Sequence, residues 1–200
     1  MEIDVLKTFY NYLQHLLFIG VSALILSGCA QIEPIPQPVV VEKPDITTEY
    51  LFKHRIITNE PTFGEKVLST LPYETTTFDE AFIYYLVARL PDTNSTTPAK
   101  RTKEHYYLWV ERTSDAWLNF THAYGDDLGP LSITGHNSSI RSGRFYKNYS
   151  VDLSLEQVKA IQHSGLTLTM ANKQKKHTTI FLPKAYVDAF LMILNNQQLH

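Results

Sequence analysis

The sequence predicts an α+β domain built mainly on antiparallel sheet, with two helices late in the chain packed on it. Three observations point there. Short runs of aromatic and β-branched residues recur between Tyr50 and Leu153, an alternating pair of segments follows at 166–182, and two capped helical patterns begin at Ser154 and Pro183. The chain has 200 residues, 44% of them hydrophobic and 19% charged, enough to bury one core.

The elements follow in order. Tyr50 to Thr58 (YLFKHRIIT) reads as a strand and Phe63 to Leu71 as one or two helical turns. Phe82 to Leu90 (FIYYLVARL) is an apolar run whose Tyr and Val content favours a strand ending at Pro91. Asp92 to Thr102 is a polar loop. His105–Arg112 and Trp117–Tyr124 flank a compact turn at Thr113–Ala116 and read as a hairpin. Leu131–Gly135 and Phe145–Leu153 are weaker strands on either side of a loop rich in Gly, Ser and Asn. Ser154 followed by Gln157 has the capping-box spacing of a helix start, and Gly165 closes that helix. Leu166–Ala171 and Thr178–Leu182 make a second hairpin around Asn172–Lys176. Pro183 opens a last helix with an apolar stripe of Tyr186, Val187, Phe190, Leu191 and Leu194.

The strongest local signal precedes this domain. Leu16 to Leu26 (LLFIGVSALIL) carries no charge; it suits the apolar stretch of a signal peptide and is short of the ~20 residues a membrane-spanning helix needs. Directly behind it stands Leu26-Ser27-Gly28-Cys29, with the only cysteine of the chain. This segment resembles the lipobox of bacterial lipoproteins, an aliphatic residue and two small ones before the cysteine that is lipidated. The resemblance covers the signal region alone and extends to no family for the globular part. One departure is the leading segment, where Glu2 and Asp4 outnumber Lys7 although such segments are normally basic. A start near Val5 or Leu6 would leave Lys7 as its only charge.

The resemblance implies a cleaved signal peptide at 1–28, a mature chain that begins at an acylated (palmitate-bearing) Cys29, and, with Ala30 rather than Asp next, sorting to the periplasmic face of the outer membrane. Each buried methylene of such a chain contributes about 0.8 kcal/mol, so several chains anchor firmly. Prolines at 34, 36, 38 and 44 then favour extended backbone, so 29–48 reads as a lipidated Cys with a Pro-rich tether. Val39-Val40-Val41 could instead dock as a short edge strand. Residues 49–200 form the single periplasmic domain.

The net charge of −2 argues against general nucleic-acid binding. There is no Gly-x-Ser-x-Gly elbow, and His136 beside Ser138 and Ser139 reads as a surface turn. The eight histidines lack the i, i+4 spacing of paired metal ligands, so neither a metal nor a cofactor is expected. His105 and His122 would be diagonal neighbours across the first hairpin, marginal for a shared metal.

In that hairpin's register Tyr107, Trp109, Phe120 and His122 share one face, with Trp109 opposite Phe120. This strip is either covered by a second layer or exposed as a binding surface. Basic residues gather late: Arg141, Arg144 and Lys147 in one loop region, and Lys173, Lys175 and Lys176 at a hairpin tip, where an anionic envelope polymer or headgroup could be met.

The function expected is that of a membrane-anchored accessory module that binds an envelope protein or glycan. The alternatives are an envelope glycan or peptidoglycan enzyme, with acids drawn from Glu104, Glu111 and Asp115, and a small-ligand binder with a pocket between the sheet and the last helix.

Overall fold

The computed structural model describes residues 46–60, 63–77, 79–92, 95 and 103–198. The segments read as a signal peptide, as a lipobox with Cys29 and as a Pro-rich tether up to residue 45 lie outside the described residues. Among the described residues no helix is long and apolar enough to cross a membrane.

The architecture is α+β, mostly antiparallel sheet with three helices, two of them late. One sheet runs β1 (Ile56–Glu60), β2 (Glu65–Ser69), β4 (Glu80–Pro91), β5 (His105–Ser114), β9 (Arg144–Leu153) and β8 (Ile133–Arg141) across its width, with β3 (Tyr73–Thr76) paired to the first half of β4. A smaller sheet has the order β11 (His177–Leu182), β10 (Leu166–Ala171), β6 (His122–Gly125), β7 (Gly129–Leu131). The helices are α1 (Thr48–Lys53), α2 (Leu155–Ala160) and α3 (Lys184–Gln198).

The long strands alternate strictly. In β4, Phe82, Tyr84, Leu86 and Ala88 point into the core and are at most 1% exposed, while Ile83, Tyr85, Val87 and Arg89 face the other way. Tyr106, Leu108 and Val110 of β5 and Tyr149, Val151 and Leu153 of β9 continue the core face. Opposite them lie Leu166, Leu168 and Met170 of the smaller sheet and Val187, Phe190 and Ile193 of α3. Burying each large side chain contributes roughly 1.5–3 kcal/mol, so this layer dominates the stability of the fold. Tyr84 ties the two sheets together by donating to the Phe181 carbonyl at 2.7 Å.

The later elements match their local signals. Ser154 and Gln157 form a reciprocal capping box at the start of α2. Gly165, with φ +83°, donates to Ile161 O at 2.8 Å and ends the turn that follows. A Cβ at Gly165 would sit 2.6 Å from the Leu182 carbonyl, so both backbone angle and space require glycine.

Four expectations need correction. Residues 50–58 are not one strand. Thr47 caps a helix by accepting from the Tyr50 amide, Leu51 is buried in the core, and the chain turns at His54 before β1. Phe63–Leu71 is not helical, because Phe63-Gly64 form the turn that brings β2 back along β1, with Glu60 opposite Glu65. The Gly/Ser/Asn-rich segment after 135 is strand, not loop. It extends β8 through a bulge between Gly135 and Ser138 and turns tightly at Ser142-Gly143, both with positive φ.

The fourth correction matters most for function: the 105–112/117–124 hairpin does not form. β5 pairs with β4 on one side and β9 on the other, whereas β6 belongs to the smaller sheet and pairs with β10 and β7. Arg112 explains the crossing. It is 1% exposed, ion-paired to Glu80, and donates to the Ala116 carbonyl at 3.2 Å. Tyr149 OH then holds the incoming segment, donating to Leu118 O at 3.0 Å and accepting from the Phe120 amide at 3.3 Å. The polar residues after β5 thus lead the chain across the core instead of reversing it.

Candidate functional site

Because each strand alternates, the outward rows of β1 to β5 line up on the sheet face turned away from α3. They enclose a half-open groove with a volume of about 560 Å³, within the range of small-molecule sites. The register lays out its floor. At one end, Glu74 of β3 and Glu111 of β5 both stand opposite Ile83 of β4. The next row places Tyr85 opposite Trp109, which in turn faces Ser150 of β9. Then come Ser69, Val87 and Tyr107. Val67 and Arg89 close the far end.

The middle of the groove is apolar and aromatic, and held firmly. His105, Tyr107 and Trp109 follow one another at alternate positions of β5, with ring centroids 5.0 and 6.4 Å apart. The bulge in β8 swings His136 onto Trp109, stacking at 5.0 Å and 26°, and its Nε2 lies 2.9 Å from Ser150 Oγ. Trp109 Nε1 donates to Glu111 Oε1 at 3.0 Å, which fixes the indole and the carboxylate together. Burial, followed by the neighbouring Glu111 and Tyr107, pushes the Tyr85 hydroxyl up to about 12.

Arg89 anchors the far end. Its Nη1 donates to Glu60 at 2.8 Å and Glu65 at 3.2 Å, and its Nε to Tyr107 OH at 3.2 Å. Burial alone would lower its pKa; the bond to Tyr107 and those to Glu60 and Glu65 outweigh this and raise it. Glu65 is 3% exposed, and its Oε1 has no hydrogen-bond partner among the described residues.

The four residues of the expected strip therefore separate. Tyr107 and Trp109 share the groove. Phe120 is 3% exposed on the opposite side of the sheet, beneath Arg112 and against Tyr149. His122 sits on β6 of the other sheet, where its Nδ1 meets Thr121, so it is no neighbour of His105, which pairs with Asp152 at 3.1 Å. The space between the large sheet and the last helix is filled: Val187, Ala189, Phe190 and Ile193 are all fully buried. The groove is on the other face.

The basic residues occupy two hairpins in different sheets. Arg141 lies over the Tyr146 ring, Arg144 pairs with Asp115 at 3.0 Å, and Lys147 donates to the His136 carbonyl at 2.8 Å. Lys173, Lys175 and Lys176 are exposed on the β10–β11 turn, which Asn172 shapes by accepting from the amides of Gln174 and Lys176. The acids separate as well. Glu104 and Asp115 stand beyond opposite ends of β5, with Glu104 accepting from Tyr106 and Asp115 from Arg144, while Glu111 lines the groove.

His136 meets a serine, but Ser150 across the strand pair rather than its sequence neighbours. Among the described residues no carboxylate orients its ring, so the pair closes the bulge and lacks the third member of a catalytic relay. Sequence reading missed Tyr85, Val87 and Arg89; the alternation within 82–90 was the available signal, masked by an unbroken apolar run. No family model matches this chain, and no curated protein or solved structure matches it either.

Proposed function

We propose that this chain is a lipid-anchored accessory protein of the cell envelope that acts by binding a small, largely apolar ligand in the groove of its larger sheet. On this reading residues 1–28 direct export, Cys29 carries the acyl chains, the Pro-rich segment is a tether, and the domain works at the periplasmic face of the outer membrane. The lipobox segment supports the anchoring half. The observation that carries the binding half is the groove floor, where Tyr85, Val87, Tyr107 and Trp109 offer a continuous apolar surface with a volume of about 560 Å³ above it. A concave, mostly apolar site with a few placed polar groups is what small ligands require, and no nucleophile with its base and orienting partner converges on it among the described residues.

Two measurements test the two halves. Cells grown with labelled palmitate should label the wild-type protein and leave Cys29→Ser unlabelled and released from the membrane fraction. An unlabelled wild type removes the anchor. For binding, the neutral dye N-phenyl-1-naphthylamine should brighten on the purified domain, and Trp109→Ala should weaken it by about tenfold, as loss of a large aromatic contact does. Dye binding indifferent to Trp109 would remove the groove as the site.

A further inference from the structure

We propose that the groove selects cations: its ligand is a small amphipath with an ammonium or guanidinium group on an aromatic or branched apolar body. The inference rests on the binding reading above and adds the charge of the ligand.

The groove is lined by two carboxylates, Glu74 and Glu111, and one guanidinium, Arg89, which two further carboxylates, Glu60 and Glu65, flank. Arg89 is already engaged by Glu60 and Glu65, so that end stays net negative even with its cation in place. Among the described residues the buried Glu65 Oε1 has no donor, which adds to the negative charge at that end. At the other end Glu111 holds one oxygen on the Trp109 indole. That leaves the rest of its carboxylate as acceptor beside two aromatic rings, Trp109 and Tyr85.

A carboxylate against π-faces suits an organic cation. The ring quadrupoles attract the charge, and the carboxylate pairs it. Glu74 and Glu111 flank Ile83 on neighbouring strands, so their backbones are about 10 Å apart, close enough for both to act on one charge. The apolar body then lies along Tyr85, Val87 and Tyr107 toward Arg89. An anionic amphipath of the same shape would bring its charge against Glu111 or compete with Glu60 and Glu65 for Arg89.

The test is displacement of bound N-phenyl-1-naphthylamine by three ligands that share one body: 3-phenylpropylammonium, 3-phenylpropanol and 3-phenylpropionate. The amine should displace at about tenfold lower concentration than the alcohol, and the carboxylate should be the weakest. In Glu111→Gln the ratio of amine to alcohol should fall to within about threefold. Because the readout is a ratio, a general change in groove affinity cancels. Glu74→Gln, exposed and on a different strand, should narrow the ratio in the same direction and serves if Glu111→Gln folds poorly. Equal potency of the three ligands, preference for the carboxylate, or an amine advantage that survives both substitutions would overturn the inference while leaving the groove a binding site. If neither the dye nor any of the three binds, the binding reading fails and the inference with it.

Discussion

Arg112 and Arg89 stand on adjacent strands of the same sheet, both ion-paired to glutamate, and point to opposite faces. Arg112 is 1% exposed among core side chains; its polar contacts, to Glu80 and Ala116, join segments of the fold to one another. The Arg89 side chain is 26% exposed and closes one end of a groove, where two carboxylates compete for it and one Glu65 oxygen goes without a donor among the described residues. On the first face the charge ties β5 to β4 and to the segment that leaves β5. On the second it leaves an acidic, aromatic concavity that the protein's own atoms do not fill. Strand alternation alone produces both, because neighbouring residues of β4 and β5 must point to different environments.

The largest expected difference between the faces is in stability. Arg112→Ala should destabilise by about 3–5 kcal/mol, since it strands the Glu80 carboxylate and frees the crossing segment. Arg89→Ala should cost less, about 2–3 kcal/mol, because Arg89 is itself partly exposed and Glu60 can turn to solvent, so that the loss is that of the buried Glu65 left without its guanidinium. Urea unfolding of the two variants measures this directly. Equal losses would mean that the groove end is as much a part of the folding core as the Arg112 site.

The next pair uses adjacent rows. Leu86→Ala should cost about 3 kcal/mol by leaving a cavity under α3 and should leave dye affinity within about twofold. Ile83→Ala should cost about 1 kcal/mol yet weaken the dye, because its side chain lies on the groove floor. A variant that moved both readouts together would break the separation of faces.

Local chemistry explains how much of this was legible. Alternation is visible in 105–112 and 145–153, so the strands and the shared face of Tyr107 and Trp109 could be read, though not the groove that face lines. Ser154, Gln157 and Gly165 act within a few residues of themselves, and α2 follows from them. The partner of β5 was not legible, because the polar residues at 113–116 have the composition of a turn. What diverts them is a contact between Arg112 and Glu80, 32 positions apart in the chain. His136 was hidden for a similar reason: the Gly, Ser and Asn around it imply a loop until β9 is in place to pair with them.

Titration at high pH compares the dryness of the two faces. Tyr186 on the core side and Tyr85 in the groove are both pushed up to about 12, in each case first by burial. A tyrosine that holds its proton longer when folded contributes stability that is intact below pH 10 and is lost as pH rises toward about 12, because over that interval the unfolded chain binds fewer protons. Stability should therefore fall over that window, and Tyr85→Phe and Tyr186→Phe should each make the fall shallower. Ultraviolet difference titration of the phenolates checks the assignment. Normal ionisation of Tyr85 beside a late Tyr186 would show that water fills the groove.

The smallest effect separates the two indoles. Trp117 is 51% exposed at the edge of the larger sheet, against the ring of Phe145, and Trp109 is held between His136 and the groove floor. Neither is central to the core, so Trp117→Phe should change stability by less than about 0.5 kcal/mol and Trp109→Phe by about 1 kcal/mol. Their fluorescence should differ far more than their energies. With Trp109→Phe the remaining indole should be quenched readily by acrylamide whether or not ligand is present. With Trp117→Phe the remaining indole should be quenched more slowly, and 3-phenylpropylammonium should slow it further by covering the open side of the groove. Ligand protection of Trp117 instead would move the binding surface to the outer edge of the sheet, away from the carboxylate rows that favour a cation.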